Sequence, residues 1–163
     1  MIKVKLSVGL DGIKGIGLDG AKKLLQELGK IGVEVGIGAD KKYPNGPNIA
    51  LIAAIHEFGS RRTPARPFFR PTIEAYKNTW ANTIGKGAMA VLSGNITTEN
   101  MMSQVGMMAV GDIKKTIIEM TQPPLSPQTI QLRLRAGNTS VKLLVDTGQL
   151  LNSIDSNVIA LKS

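Results

Sequence analysis

Between Ala54 and Pro71 the chain reads AIHEFGSRRTPARPFFRP, and its three prolines forbid most of what the surrounding sequence could otherwise form. Pro64, Pro67 and Pro71 each fix φ and lack a backbone donor, so neither a regular helix nor a central strand can run through all of them. Upstream, Ile49, Ile52, Ala53 and His56 recur at helical spacing, and Gly59 can take the positive φ that ends a helix. The chain is therefore expected to leave a helix at Gly59, cross the surface as a stiff arm, and enter the next helix with Pro71 at its first position. Arg61, Arg62, Arg66 and Arg70 ride on that arm, with Phe68 and Phe69, two of the three phenylalanines in the protein. Adjacent residues of an extended arm point in opposite directions, so burying both rings needs packing on two sides, and another subunit is one source of it.

The rest of the chain alternates between strand and helix signals. Ile2, Val4, Leu6 and Val8 alternate with polar residues as in a half-buried strand, and Val33 to Gly38 does the same. Between them, Asp19 is placed to cap a helix through Ala21, Leu24, Leu25 and Leu28, closed by Gly29. DKKYPNGPN (40–48) reads as an exposed loop whose last residue, Asn48, caps the helix Ile49 to Phe58. Ile73, Tyr76, Trp80, Ile84, Met89 and Leu92 mark a long helix from Thr72 to Leu92, with close packing as a reason for Gly85 and Gly87. Thr98 starts a second long helix carrying Met101, Met102, Val105, Met108, Ile113, Ile117 and Ile118. Its cluster of methionines, Met101, Met102, Met107, Met108 and Met120, is taken as core filler.

Ser126 followed by Pro127 starts a shorter helix, and 136–140 is polar and expected to be mobile. Downstream, Leu143 to Val145 reads as a short apolar strand, and Asp146, Thr147 and Gly148 as a turn in which Thr147 caps a helix with Leu150, Leu151 and Ile154 on its apolar face. A last strand is expected around Asn157 to Leu161. Together these elements describe a single α+β domain over 1–163. A small, mostly antiparallel sheet packs against two long helices, with the basic Pro/Arg-rich arm at 58–71 and a helical insertion with its loop at 121–140.

Composition bounds the chemistry. The formal net charge is +8, and between Asn48 and Ala90 the basic residues Arg61, Arg62, Arg66, Arg70, Lys77 and Lys86 oppose only Glu57 and Glu74, so the arm is the basic centre and suits an acidic or nucleic-acid partner. The chain has no cysteine, which removes disulfides, thiolate metal sites and thiol catalysis. The opening MIKVKLSVGLDGIKG alternates charged and apolar residues, so export through a continuous apolar signal is not expected. His56 is followed by Glu57, but HExxH needs a second histidine and there is none. The pair is read as structural, with the imidazole gaining from the negative end of its helix. Asp146-Thr147-Gly148 also evokes the aspartic-protease triplet, but that chemistry needs two carboxylates sharing a proton, and the Gln149 continuation reads as helix. No nucleophile elbow or phosphate-binding loop is present, and the glycines from Gly9 to Gly20 lack the lysine of one. No catalytic residue, metal ligand or cofactor is expected.

HEFGSRRTPARPFFRP, followed far downstream by LLVDTGQLLNSI and with PLSPQTIQLR between, resembles the paired signature of the small neck and tail-completion proteins of long-tailed double-stranded DNA bacteriophages. These are also described as virion morphogenesis or minor tail-component proteins. The likeness covers roughly the C-terminal two-thirds. It implies a structural protein of the virion neck or tail, made in the bacterial cytoplasm, forming a hexameric ring with itself and contacting other neck or tail proteins, with DNA passing the lumen and no membrane involved. On that footing Arg61, Arg62, Arg66 and Arg70 are expected at the subunit or partner interface with Phe68 and Phe69 as apolar anchors. Asp146, Thr147, Gly148 and Leu150 form a structural turn. The competing expectation is a nucleic-acid-binding module using the same basic arm, although aromatic residues for stacking on single strands are nearly missing.

Overall fold

A computed structural model describes residues 4–6, 18–44, 46–145 and 147–161 of the 163-residue chain. Along it run β1 (Val4–Leu6), α1 (Leu18–Leu28), β2 (Ile31–Ile37), α2 (Ile49–Phe58), α3 (Phe69–Leu92), α4 (Thr98–Glu119), α5 (Pro127–Arg135), α6 (Gln149–Asn152) and β3 (Ile154–Ala160). This is an α+β fold with a three-stranded sheet in the order β1-β2-β3. β1 runs antiparallel to β2, with Val4 opposite Val35 and Leu6 opposite Val33. At the far end of β3, the Leu161 N–H donates to the Lys30 carbonyl just before β2 at 2.7 Å, so these two strands are also antiparallel. Of the strand expected over residues 2–8, only the β1 part lies among the described residues, and Gly9 to Gly17 lie outside them.

Contacts divide the chain into two compact units, neither of them one continuous stretch: Met1–Ile2, Ile37–Glu74 and Gly111–Ile154 in the first, Lys3–Gly36, Ala75–Val110 and Asp155–Ser163 in the second. The second unit shows how the alternation works. Val33 and Val35 of β2 are buried while Glu34 and Gly36, which alternate with them, are half-buried, the period-two pattern of a strand with one face on a core. Opposite that face, α4 buries Met101, Met102, Val105 and Ala109, and α3 buries Trp80, Ile84 and Ala88 at helical spacing. Glycines set the closest approaches. A Cβ on Gly106 would lie 2.7 Å from Val33 Cγ2 and 2.8 Å from Ser156 Cβ, so α4 comes against the sheet only because that position has no side chain. Gly87 does the same for α3 against Met101, whereas at Gly85 a Cβ would meet nothing within 4 Å among the described residues. Close packing accounts for one glycine of the pair.

In the first unit Ile37, Ile49, Ala53, Phe68, Phe69, Ile113, Ile117, Leu143, Leu150 and Ile154 are buried. Asn48 caps α2 as its sequence suggests: its Oδ1 accepts the Leu51 N–H at 3.2 Å and its Nδ2 donates to the Ala39 carbonyl. Ser126 likewise accepts the Thr129 N–H at 3.2 Å with Pro127 in the first turn of α5. The 136–140 loop is tied back to α5 through Arg133 Nη1, which donates to the carbonyls of Ser140 and Lys142.

Several expected details are corrected. Asp19 sits inside the first turn of α1, after Leu18. The cap of α4 is Thr97, whose Oγ1 accepts the Asn100 N–H, while Thr98 Oγ1 is buried without a partner. α6 starts from Gly148 at φ 74°, with no side-chain cap from Thr147, and Ile154 already belongs to β3. Leu143 and Leu144 form a turn, because Leu144 takes φ 54°, a conformation no strand residue adopts. The methionines divide: Met101 and Met102 are core, but Met107 and Met108 are exposed and Met120 lies beyond the end of α4.

The two glycines of α4 should respond oppositely to one methyl group. Gly106→Ala is expected to lower unfolding free energy by about 1–3 kcal/mol through overpacking against the sheet. Gly111→Ala, where no described atom lies within 4 Å of the new Cβ, should raise it by about 0.5–1 kcal/mol through helix propensity. Urea unfolding of both variants checks the contrast, and equal shifts would contradict the close approach.

Candidate functional site

α2 ends where the arm begins. Gly59 at φ 78° donates its N–H to Ile55 O at 2.8 Å, and a Cβ there would press on Ala65 N at 3.1 Å, so glycine is needed both for the dihedral and for the arm's return. Residues 60–63 then close a tight turn. Ser60 and Thr63 exchange backbone hydrogen bonds at 2.8 and 3.3 Å, and Ser60 Oγ accepts the N–H groups of Arg62 and Thr63. Arg61 and Arg62 stand exposed on it, with no ion-pair partner among the described residues. The arm next folds back on the helix it left, the Arg66 N–H donating to the His56 carbonyl at 2.6 Å.

Glu57, on the last turn of α2, organises the entry into α3. Its side chain is fully buried. Oε2 accepts the N–H groups of Phe68 and Phe69 at 2.7 and 2.9 Å, and Oε1 accepts the N–H and Nε–H of Arg70, both at 3.0 Å. Arg70 Nη2 also donates to the Glu57 carbonyl at 2.7 Å, and its guanidinium lies 5.0 Å over the Phe58 ring. The first N–H groups of a helix lack intrahelical acceptors and carry its partial positive charge. No Ser, Thr, Asp or Asn precedes α3, and Glu57 supplies the missing cap from another helix. Burial by itself would raise the Glu57 pKa, but the N–H groups of Phe69, Phe68 and Arg70 and the Arg70 guanidinium together outweigh it and hold the carboxyl below its ordinary value. With the Arg70 side chain 60% exposed, the ion pair contributes little and the backbone donors dominate.

This capping corrects the expected roles along the arm. α3 opens at Phe69, before Pro71. Phe68 and Phe69 are 0% and 1% exposed, with ring centroids 4.8 Å apart, so they anchor the arm to its own chain and are closed to a partner in this conformation. Thr72 Oγ1 donates to Phe68 O and lies 2.6 Å from Thr116 Oγ1 on α4. Arg66 is buried as well, its Nε and Nη2 donating to the carbonyls of Pro123 and Pro124, both at 2.9 Å. Of the four arginines, Arg61 and Arg62 alone remain uncommitted among the described residues. Glu57 was missed by sequence reasoning. The available signal was a carboxylate at the end of one helix and a following helix without a capping residue.

Beside the arm lies a cleft of about 680 Å3. Arg62 and Arg66 line it from one side, Ser126 from the cap of α5 and Arg133 from its last turn, Thr147 and Gly148 from the downstream turn, and Leu150 from α6. The two distant halves of the sequence motif therefore meet here, and α2 packs against α6. Leu150 is buried, Thr147 is exposed, and Asp146 lies outside the described residues. His56 also lines the cleft. Its pKa is lowered, first by burial and then by the charge of Arg66, which reverses the expected gain from the helix end. Among the described residues no group of three or more His, Cys, Asp or Glu could hold a metal ion, and no helix is long and apolar enough to cross a membrane. Comparison with protein-family models, curated proteins and solved structures finds no match.

Glu57→Gln is expected to cost about 3 kcal/mol of stability, because an amide cannot accept all the donors now aimed at the carboxylate. The wild-type contribution is present above the ordinary carboxyl value of 4.5 and is lost as pH falls through the lower folded-state value, so the acid limb of a stability curve should flatten in the variant. A separate loss starting below 6.5, from His56 held neutral by the fold, should persist in it. Parallel wild-type and variant curves from about pH 7 to about pH 3 would contradict the capping role. Phe68→Ala is expected to cost about 3–5 kcal/mol in the isolated protein, by calorimetry, as a core truncation does; a loss within about 0.5 kcal/mol, as at surface positions, would return the ring to the interface.

Proposed function

We propose that the chain is a structural protein of a bacteriophage neck or tail, completing the tail or joining head to tail, and that copies of it meet in a closed, hexameric ring. The observation that carries this reading is the Ser60–Thr63 turn, a pair of exposed cations, Arg61 and Arg62, on a loop tied down at both ends. Guanidinium groups pair with carboxylates in bidentate geometry, and a fixed turn presents them with little further ordering to lose. The paired motif in HEFGSRRTPARPFFRP and LLVDTGQLLNSI supports the assignment to the neck or tail. In such a ring one patch meets a different patch on the next copy, so Arg61 and Arg62 would face an acidic surface of the neighbour or of an adjoining neck protein. The role is assembly, with no bond made or broken, and the place of action is the virion after synthesis in the host cytoplasm.

Two arginines without an ion-pair partner among the described residues and a net charge of +8 also suit a phosphate backbone. The double change Arg61→Glu, Arg62→Glu is expected to leave stability within about 0.5 kcal/mol, as exposed substitutions do, while mass photometry shows rings for the wild type and monomers for the variant. Unrelated duplex DNA should be bound little at physiological salt. Tight DNA binding that weakens steeply with salt would favour the nucleic-acid module, and a wild-type protein that stays monomeric alone and with neck and tail extracts would sink the assembly reading.

A further inference from the structure

α2 turns its polar residues inward and its apolar residues outward. Of the ten residues in IALIAAIHEF only His56 and Glu57 are polar, and neither is offered to solvent: Glu57 is buried against the start of α3, and His56 is half-buried with its Nδ1 enclosed. The outer face carries Leu51, Ala54, Ile55 and Phe58 instead, at the spacings of three, four and seven that bring side chains into one stripe along a helix. Leu51 is 56% and Phe58 63% exposed, with Ala54 and Ile55 half-buried between them. Apolar residues scattered singly on a surface are ordinary, but a continuous apolar stripe on a helix is the face it normally keeps from water.

The stripe ends in positive charge. The Arg70 guanidinium lies 5.0 Å over the Phe58 ring, and the Ser60–Thr63 turn, with Arg61 and Arg62 exposed on it, follows immediately after Gly59. Glu57 answers Arg70, whereas Arg61 and Arg62 have no ion-pair partner among the described residues, so the charge left over at this end calls for a carboxylate. The stripe itself decides the form of the occupant. Backbone groups in the middle of a helix are bonded within it, so α2 offers a strand no main-chain partners, and an extended segment laid on it would bury its own amides against hydrocarbon. A helix satisfies its amides internally and sets its side chains between those of Leu51, Ile55 and Phe58. A phosphate backbone would meet the arginines and leave the stripe in water. We propose that α2 docks an amphipathic helix of a partner protein, its apolar face along Leu51, Ala54, Ile55 and Phe58 and its carboxylates at one end of that face paired with Arg61 and Arg62. Leu51 to Phe58 spans roughly 10 Å, about two turns, which is the length of contact required of the partner. The charged end rests on the reading of Arg61 and Arg62 given above; the stripe stands without it and does not require a ring.

The test is fluorescence polarisation on the purified full chain with a labelled, lactam-stapled helical peptide that carries leucine along one face and glutamate beside it. Two counterparts serve as controls, one with the leucines scattered around the helix and one with lysine in place of glutamate. Saturable binding of the leucine–glutamate helix, roughly tenfold or more tighter than either control, is expected. Leu51→Gln, a change on an exposed side chain, should weaken it about fivefold or more without moving the melting temperature, and the double change Arg61→Gln, Arg62→Gln should weaken it and flatten its salt dependence. No saturable binding, equal affinity for the scattered helix, or indifference to Leu51→Gln would overturn the proposal, and equal affinity for the lysine helix would overturn its acidic half. Rings that fall apart in Leu51→Gln while the peptide fails to bind would assign the stripe to a second copy of the chain, and adsorption to anionic phospholipid vesicles in place of the peptide would assign it to a membrane surface; either result ends the partner-helix reading. Mass photometry of the same samples reads ring formation separately: a monomer that binds the helix keeps this inference and sinks the ring, and a ring indifferent to the helix does the reverse.

Discussion

One carboxylate decides where the arm goes. Glu57 is the last acidic group before the arginines, and folding buries it completely while surrounding it with four N–H donors from residues 68–70. An isolated buried charge would be expelled or neutralised, but here the donors belong to the open end of α3, which is itself short of acceptors. Each deficit satisfies the other. Because α2 ends at Gly59 and α3 starts at Phe69, satisfying both fixes the path of everything between, and the turn carrying Arg61 and Arg62 is the part of that path with nowhere to go but outward.

Features set by neighbours in sequence were legible, and those set by remote partners were not. Asn48 and Ser126 cap their helices from three residues away, so their spacing alone identifies them. The burial of Val33, Val35 and Ile37 follows from alternation and that of Trp80 and Ile84 from helical period, but Met89, expected on the same stripe, is exposed and Ala88 takes the buried place. Pro71 misled because its own preference for a helix start is local, whereas the start two residues earlier is imposed by Glu57. Phe68 and Phe69 would face opposite ways only on an extended arm. Once the backbone turns helical there, adjacent rings no longer diverge by a half-turn, and both enter one core.

The same distinction explains the cleft. Its lining comes from residues as far apart as Tyr43 and Leu150, and the burial of Arg66 among them is something no window of sequence reports. A run of four arginines looks uniform in composition, but the fold assigns them different tasks. Arg66 clamps the proline segment after α4, Arg70 closes over Glu57 and Phe58, and Arg61 and Arg62 stand exposed with no ion-pair partner among the described residues.

That division bears on how Arg61 and Arg62 would meet a partner under the proposed function. Two arginines on a free loop would lose loop and side-chain freedom on meeting a carboxylate, and an exposed pair gains about 0–1 kcal/mol at best, so the ordering would consume the gain. Here the loop freedom has been removed in folding: Gly59 is bonded to α2, Ser60 to Thr63, and Arg66 back to His56. What remains to be ordered is two side chains. Under the proposed function, a carboxylate that meets the turn would find its backbone already ordered, so only the side-chain freedom of Arg61 and Arg62 would oppose the pairing.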